Sequence, residues 1–285
     1  MKSTFKLNIF IICVICLFSF TMSGFASSPA TEAVEDAGTV CMYLNGIKAA
    51  DGIKVDGTTY VPLRQFTEAL VGPTETTWDD ETNTATLKSE GLEIKATEGS
   101  QFFSANGRCF YAPGTVLVFD DTLCVPVREL AKVFGVDVQW HEETQSVSLA
   151  IEELKLIESG DKHYNEEDLY WLSRLINSES GNQSLDGKIG VGNVVMNRVA
   201  DPTCPDTIYG VIFDKKYGVQ FSVIETGSIY SEPNEESIVA AKLCLDGYNN
   251  VGSSLYFVNP DIGVSSWFAK TRVFVATIGD HDFYA

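Results

Sequence analysis

In residues 169–179 a carboxylate stands where an apolar residue is due. Leu169, Leu172, Leu175 and Ile176 recur at helical spacing and mark one helix face. The next position on that face is Glu179. Asn165, with Asp168 three residues on, supplies an N-cap for such a helix. Burial disfavours a charged carboxylate, so an unpaired glutamate there holds its proton. The partial negative charge of a helix C-terminus pushes the same way. A glutamate protonated near neutral pH is what a general acid requires. The alternative is a helix that frays early and leaves Glu179 solvated.

The next element, LDGKIGVGNVVMNRV, reads as a second helix carrying Gly187, Gly190 and Gly192. Each glycine costs about 1 kcal/mol of helix propensity. Three of them predict a backbone held close against a neighbour. The expected neighbour is the Glu179 helix, in a tight hairpin with the carboxylate at its mouth.

Other chemistries lack their parts. His281 is the sole histidine of residues 166–285, whereas a zinc amidase or peptidase needs several ligands. A Cys/His peptidase would need Cys204 or Cys244 with His281. Cys204 precedes a proline in a loop, and Cys244 falls in a predicted helix after an Asn234 cap; His281 is expected to tie down the C-terminal strand-turn. No metal and no cofactor is expected. The formal charge of −19 over 285 residues opposes nucleic-acid binding, which needs clustered Lys and Arg.

Residues 1–26 have the layout of a secretory signal peptide: Lys2 and Lys6, an apolar run from Leu7 to Phe20, then Gly24 and Ala26 at a cleavage site. The alternative is an uncleaved anchor, for which the run is short. Removing the signal takes away two lysines, deepening the negative charge. Cleavage would place the protein outside the cell. Five cysteines follow (Cys41, Cys109, Cys124, Cys204 and Cys244), each a small buried hydrophobe or half of an optional bridge.

Residues 39–150 contain a repeat. GTTYVPLRQFTEAL at 57–70 resembles DTLCVPVRELAKVF at 121–134, so that Val61, Pro62 and Arg64 recur as Val125, Pro126 and Arg128. Trp78 recurs as Trp140. Each unit reads as a strand, a Val-Pro break, a short amphipathic helix, a turn and a closing strand. The arginines are expected to hold loop carbonyls. This pattern resembles the copper amine oxidase N-terminal-like domain, and the resemblance implies a wall-associated appendage without a copper site. A cell-wall or protein partner for this module stays open. Residues 151–165, charged and containing Gly-Asp, read as a linker with room for a short helix.

INSESGNQSLDGKIGVGNVVMNRV, at 176–199, is similar to the core motif of the spore cortex-lytic and cell-wall hydrolase (SleB-like) family. QFS at 220–222, AAKLCLDGY at 240–248, SLYFVNP at 254–260 and the final IGDHDFYA follow in register. The resemblance covers residues 166–285. It implies an α+β protein: a lysozyme-like, lytic-transglycosylase-like domain, mainly helical with a small β portion, after an N-terminal α+β duplicated-repeat domain. It further implies peptidoglycan glycan strands as partner and Glu179 of the Glu179-Ser180 pair as catalytic acid/base. Ser180, Gln183, Phe221, Ser222, Tyr256 and Asn259 would contact substrate. Phe257 and Trp267 are further aromatics for a sugar cleft, with core packing as the default for all of them. Asn259, before Pro260, also fits turn chemistry. Family members often carry a second Glu four residues after the first; Gln183 stands there and cannot ionise.

Ordinary glycosidases use two carboxylates. A lytic transglycosylase can work with one, because the muramic acid C6 hydroxyl attacks the anomeric carbon itself. A muramidase would need a partner carboxylate, for which Asp214, Glu225, Glu232 and Asp261 are available. The third reading is a non-catalytic wall-binding protein.

Overall fold

Short turns fold the first part of the chain into hairpins. Asn45-Gly46 joins β1 (Gly38–Leu44) to β2 (Ile47–Val55), and Asp56-Gly57 joins β2 to β3 (Thr58–Pro62). All four turn residues have positive φ, which matches the right-handed twist of the strands they connect. In this computed structural model the described residues are 38–216, 218–262 and 270–285; the expected signal peptide and Trp267 lie outside them.

Both copies of the repeat follow the pattern read from the sequence. Pro62 ends β3 and caps α1 (Leu63–Val71); Pro126 ends β10 and caps α2 (Val127–Val133), once β4 (Glu75–Asp79), β5 (Thr84–Ser89), β6 (Leu92–Thr97), β7 (Phe102–Ala105), β8 (Arg108–Tyr111), β9 (Leu117–Phe119) and β10 (Thr122–Pro126) have been laid down. Proline suits both helix starts, where the first N–H has no intrahelical partner. The copies then diverge. The β4–β5 hairpin opens a five-stranded sheet, β4-β5-β6-β7-β8. The equivalent hairpin, β11 (Asp137–His141) with β12 (Ser146–Ala150), returns to β1 and pairs with it in parallel. That closes a seven-stranded sheet, β11-β12-β1-β2-β3-β10-β9. The two sheets and both helices enclose Met42, Val61, Phe66, Phe103, Leu130, Phe134 and Leu149.

Arg64 corrects one expectation. It bonds the Glu68 carboxylate at 3.0 Å, not loop carbonyls, and Glu68 in turn accepts from the Thr74 backbone N–H and hydroxyl.

Residues 151–165 are strapped down along their length. Lys155 and Ile157 donate backbone hydrogen bonds to Phe134 and Val133, and Leu154, Leu156 and Ile157 pack on the first core. The short helix α3 (Gly160–His163) begins where the Gly160 N–H meets the Asn106 carbonyl.

The remaining chain is helical with a terminal sheet. α4 (Glu166–Ser180), α5 (Leu185–Ala200) and α8 (Glu235–Leu245) pack together, flanked by α6 (Ile208–Ile212) and α7 (Val223–Thr226). β13 (Tyr256–Val258), β14 (Phe274–Ile278) and β15 (His281–Tyr284) form a sheet in the order β13-β15-β14. The second core joins Leu172, Leu175 and Ile176 to Ile189, Val195, Ala240 and Cys244. It also takes in Cys109 and Tyr111 from β8, so the two cores meet at that strand. All five described cysteines are free thiols.

Candidate active site

Asn165 starts α4 as its sequence requires: its side chain accepts from the Glu167 and Asp168 N–H groups. Leu172, Leu175 and Ile176 are buried, and the helix runs unfrayed through Glu179 to Ser180. Glu179 therefore reaches the last turn half-buried, on the wall of a cavity of about 350 Å³ that Arg198, Gln220, Phe221, Ser222, Glu225 and Phe257 also line. Among the described residues its carboxylate has no hydrogen-bond or ion-pair partner. Burial alone pushes Glu179 up from 4.5 to about 6.

Arg198 stands at the same cavity without discharging that carboxyl. Its Nε donates to the Leu255 carbonyl at 2.7 Å, and its guanidinium lies 5.3 Å from the Phe221 ring and 5.6 Å from that of Tyr256. Burial pulls its own pKa down. Glu225, in the first turn of α7, is a second carboxylate at the cavity and is exposed. The other three carboxylates weighed from sequence are elsewhere: Asp214 accepts from the Lys216 N–H, Glu232 bonds Arg174, and the backbone N–H of Asp261 is held by Asn259. Glu225 had no distinguishing spacing, because a four-residue helix following a loop carries no periodic signal.

Residues 182–284 match the Cell Wall Hydrolase family, a segment that begins just after Glu179, and residues 44–149 match the copper amine oxidase N-terminal domain. The second half of the chain is a cell wall hydrolase domain. Spore cortex-lytic enzymes from Bacillus cereus and Oceanobacillus iheyensis are 32% and 31% identical to it over 120 residues, which is 42% of this chain and 45% and 42% of those proteins. The chain thus spans less than half the length of these curated relatives. The catalytic domain of the germination-specific lytic transglycosylase SleB from Bacillus anthracis is 31% identical, with all of that domain and 45% of this chain aligned at a TM-score of 0.39.

Within the hydrolase domain the sequence-predicted residues separate. Phe221 is buried on the cavity wall and Ser222 is exposed at it. Phe257 lines the cavity and packs on Phe221 with ring centroids 6.3 Å apart, whereas its strand neighbour Tyr256 is outside the lining and lies 4.4 Å from the Arg272 guanidinium. Ser180 points inward, fully buried, and donates to the Ile176 carbonyl at 2.8 Å. The Asn259 side chain accepts from the Asp261 N–H, a local turn bond.

Gln183 faces the tip of the β14–β15 hairpin. Its amide donates to the Asp280 carboxylate at 2.8 Å and accepts from the Asp280 N–H at 3.1 Å. A glutamate could not donate, and would face Asp280 charge to charge. His281, one residue on, is buried in β15 and packs edge-on against Phe257 at 5.2 Å.

The glycines of α5 meet four side chains, not a single helix. A Cβ on Gly192 would come 2.8 Å from Ile176 of α4 and 2.7 Å from the Cys244 sulfur of α8. One on Gly190 would come 2.6 Å from the Phe283 ring of β15, and one on Gly187 3.0 Å from Gln183. Only Gly192 makes the expected approach to the Glu179 helix.

Proposed function

We propose that the chain cleaves the glycan strands of peptidoglycan outside the cell, in the wall or the spore cortex, as a lytic transglycosylase with Glu179 as its acid/base. The observation that carries this reading is an unpaired, half-buried glutamate raised to about 6 on a cavity wall. The 31% identity to the Bacillus anthracis lytic transglycosylase domain supports the reaction class. Glu179, protonated, gives its proton to the glycosidic oxygen as the bond to the muramoyl anomeric carbon breaks. The resulting carboxylate takes the proton of the C6 hydroxyl as that oxygen attacks the same carbon. The products are a 1,6-anhydromuramyl end and a free hydroxyl on the leaving sugar, with no water consumed.

Glu225 at the same cavity favours hydrolysis as the second reading, since it could hold a water. Digestion of purified cortex and vegetative peptidoglycan, followed by mass spectrometry, tests both. The parent is expected to leave anhydromuramyl ends, lighter by one water than reducing ends. Glu179→Gln is expected to lose activity by about 10²–10⁴-fold, and Glu225→Gln to keep it. Reducing ends that vanish in Glu225→Gln would establish the hydrolase. Equal inactivity of parent and Glu179→Gln on both substrates would favour a binding protein.

A further inference from the structure

The two copies of the N-terminal repeat differ in what they do with their arginine. In the first, Arg64 is neutralised by Glu68 four residues on. In the second, Lys132 stands at that position and pairs with Glu129 at 2.8 Å. Arg128 is exposed and, among the described residues, has no hydrogen-bond or ion-pair partner. It lines a cavity of about 330 Å³ together with Lys54, Trp140, Thr58, Val138 and Glu129, the last already held by Lys132. That volume is at the low end of the ~300–1,000 Å³ of small-ligand clefts.

The cavity is chemically uneven. Trp140 is fixed by donation from its indole N–H to Glu142 at 2.6 Å, and the Lys54 ammonium lies 4.6 Å from its ring centroid. Val138 extends this apolar wall, while Thr58 offers a hydroxyl. Two cations thus share a cavity with an indole in a chain whose net charge is −19. The hollow beside Arg64 contains Glu68 and no aromatic ring, and Trp78 lies exposed on the other sheet. The duplication therefore built this arrangement once. An aromatic wall takes the C–H face of a sugar, and a guanidinium takes a carboxylate through two parallel hydrogen bonds.

We propose that this cavity is a second glycan site, non-catalytic, which takes a carboxylate-bearing amino sugar of the muramic acid type, the sugar against Trp140 and its carboxylate on Lys54 and Arg128. The ligand assignment rests on the peptidoglycan reading above. The test uses the full chain carrying Glu179→Gln, and calorimetric titration with the disaccharide N-acetylglucosaminyl-N-acetylmuramic acid. Diacetylchitobiose and glycerol phosphate are titrated in parallel. Adding Lys54→Gln and Arg128→Gln together is expected to weaken disaccharide binding at least tenfold, with an unchanged melting temperature. The same two changes in the parent should leave cleavage of soluble glycan fragments intact. Binding that persists in the double variant would place the sugar in the Glu179 cavity and overturn the proposal. So would absence of binding, or equal binding of chitobiose or glycerol phosphate. These titrations do not depend on turnover, so failure of the catalytic reading leaves them interpretable.

Discussion

At the scale of residues, Glu179 was legible because helical spacing needs only the chain itself. The same spacing placed its carboxyl where burial would raise its pKa. Burial does so, with neither a hydrogen bond nor an ion pair contributing. The folded protein holds this proton more tightly than an unfolded chain with the ordinary value of 4.5. The stability it contributes is therefore complete below about 4.5 and lost as pH rises through about 6. Glu179→Gln should accordingly unfold at higher temperature than the parent at pH 7, by an equivalent of about 1–2 kcal/mol, and match it at pH 4. Thermal melts across that range check this, and a gain of the same size at both pH values would mean a cause other than ionisation. Gln183 shows the opposite limit of legibility. Its partner Asp280 lies 97 residues away, so a departure from the family pattern could be seen but its hydrogen bonds could not.

At the scale of elements, glycines in α5 announced close packing, but not against whom. Gly190 and Gly192 are two residues apart, about 200° around a helix, so they face opposite neighbours. One meets the C-terminal strand; the other meets α4 and α8. Gly190→Ala sets a gain in helix propensity of about 1 kcal/mol against a methyl forced into the Phe283 ring. Overpacking should win, giving a net loss of about 1–2 kcal/mol in urea unfolding; a variant as stable as the parent would show that β15 yields easily. The repeat teaches a similar lesson. Strand, proline, helix and hairpin were readable in both copies because each is local. Their assignment to different sheets was not, because it depends on which edge is open when the hairpin arrives: β5 is flanked by β6, whereas β12 finds β1.

At the scale of the whole molecule, the described residues of the wall-hydrolase half and the repeat half share two partly buried carboxylates. Asp246, at the end of α8, accepts from Arg108 of β8 and Tyr164, with His163 Nε2 at 3.0 Å. Asp186, in the first turn of α5, accepts from Tyr111 at 2.8 Å and Gln101 at 3.0 Å. Both sets of partners are more than sixty residues away or lie in a segment that reads as a linker, so sequence gave no sign of either. Asp246→Ala would strand the Arg108 guanidinium, at a cost of about 3 kcal/mol. Calorimetry should show one transition for the parent and two for the variant; a single, unshifted transition in the variant would mean that the halves hold together without Asp246. The junction has a consequence for ancestry as well. A hydrolase domain exchanged onto a different appendage would arrive with Asp186 and Asp246 facing strangers. Lineages that kept this pairing had to inherit the acceptors on one side with the donors on the other, as a lock is passed on with its key.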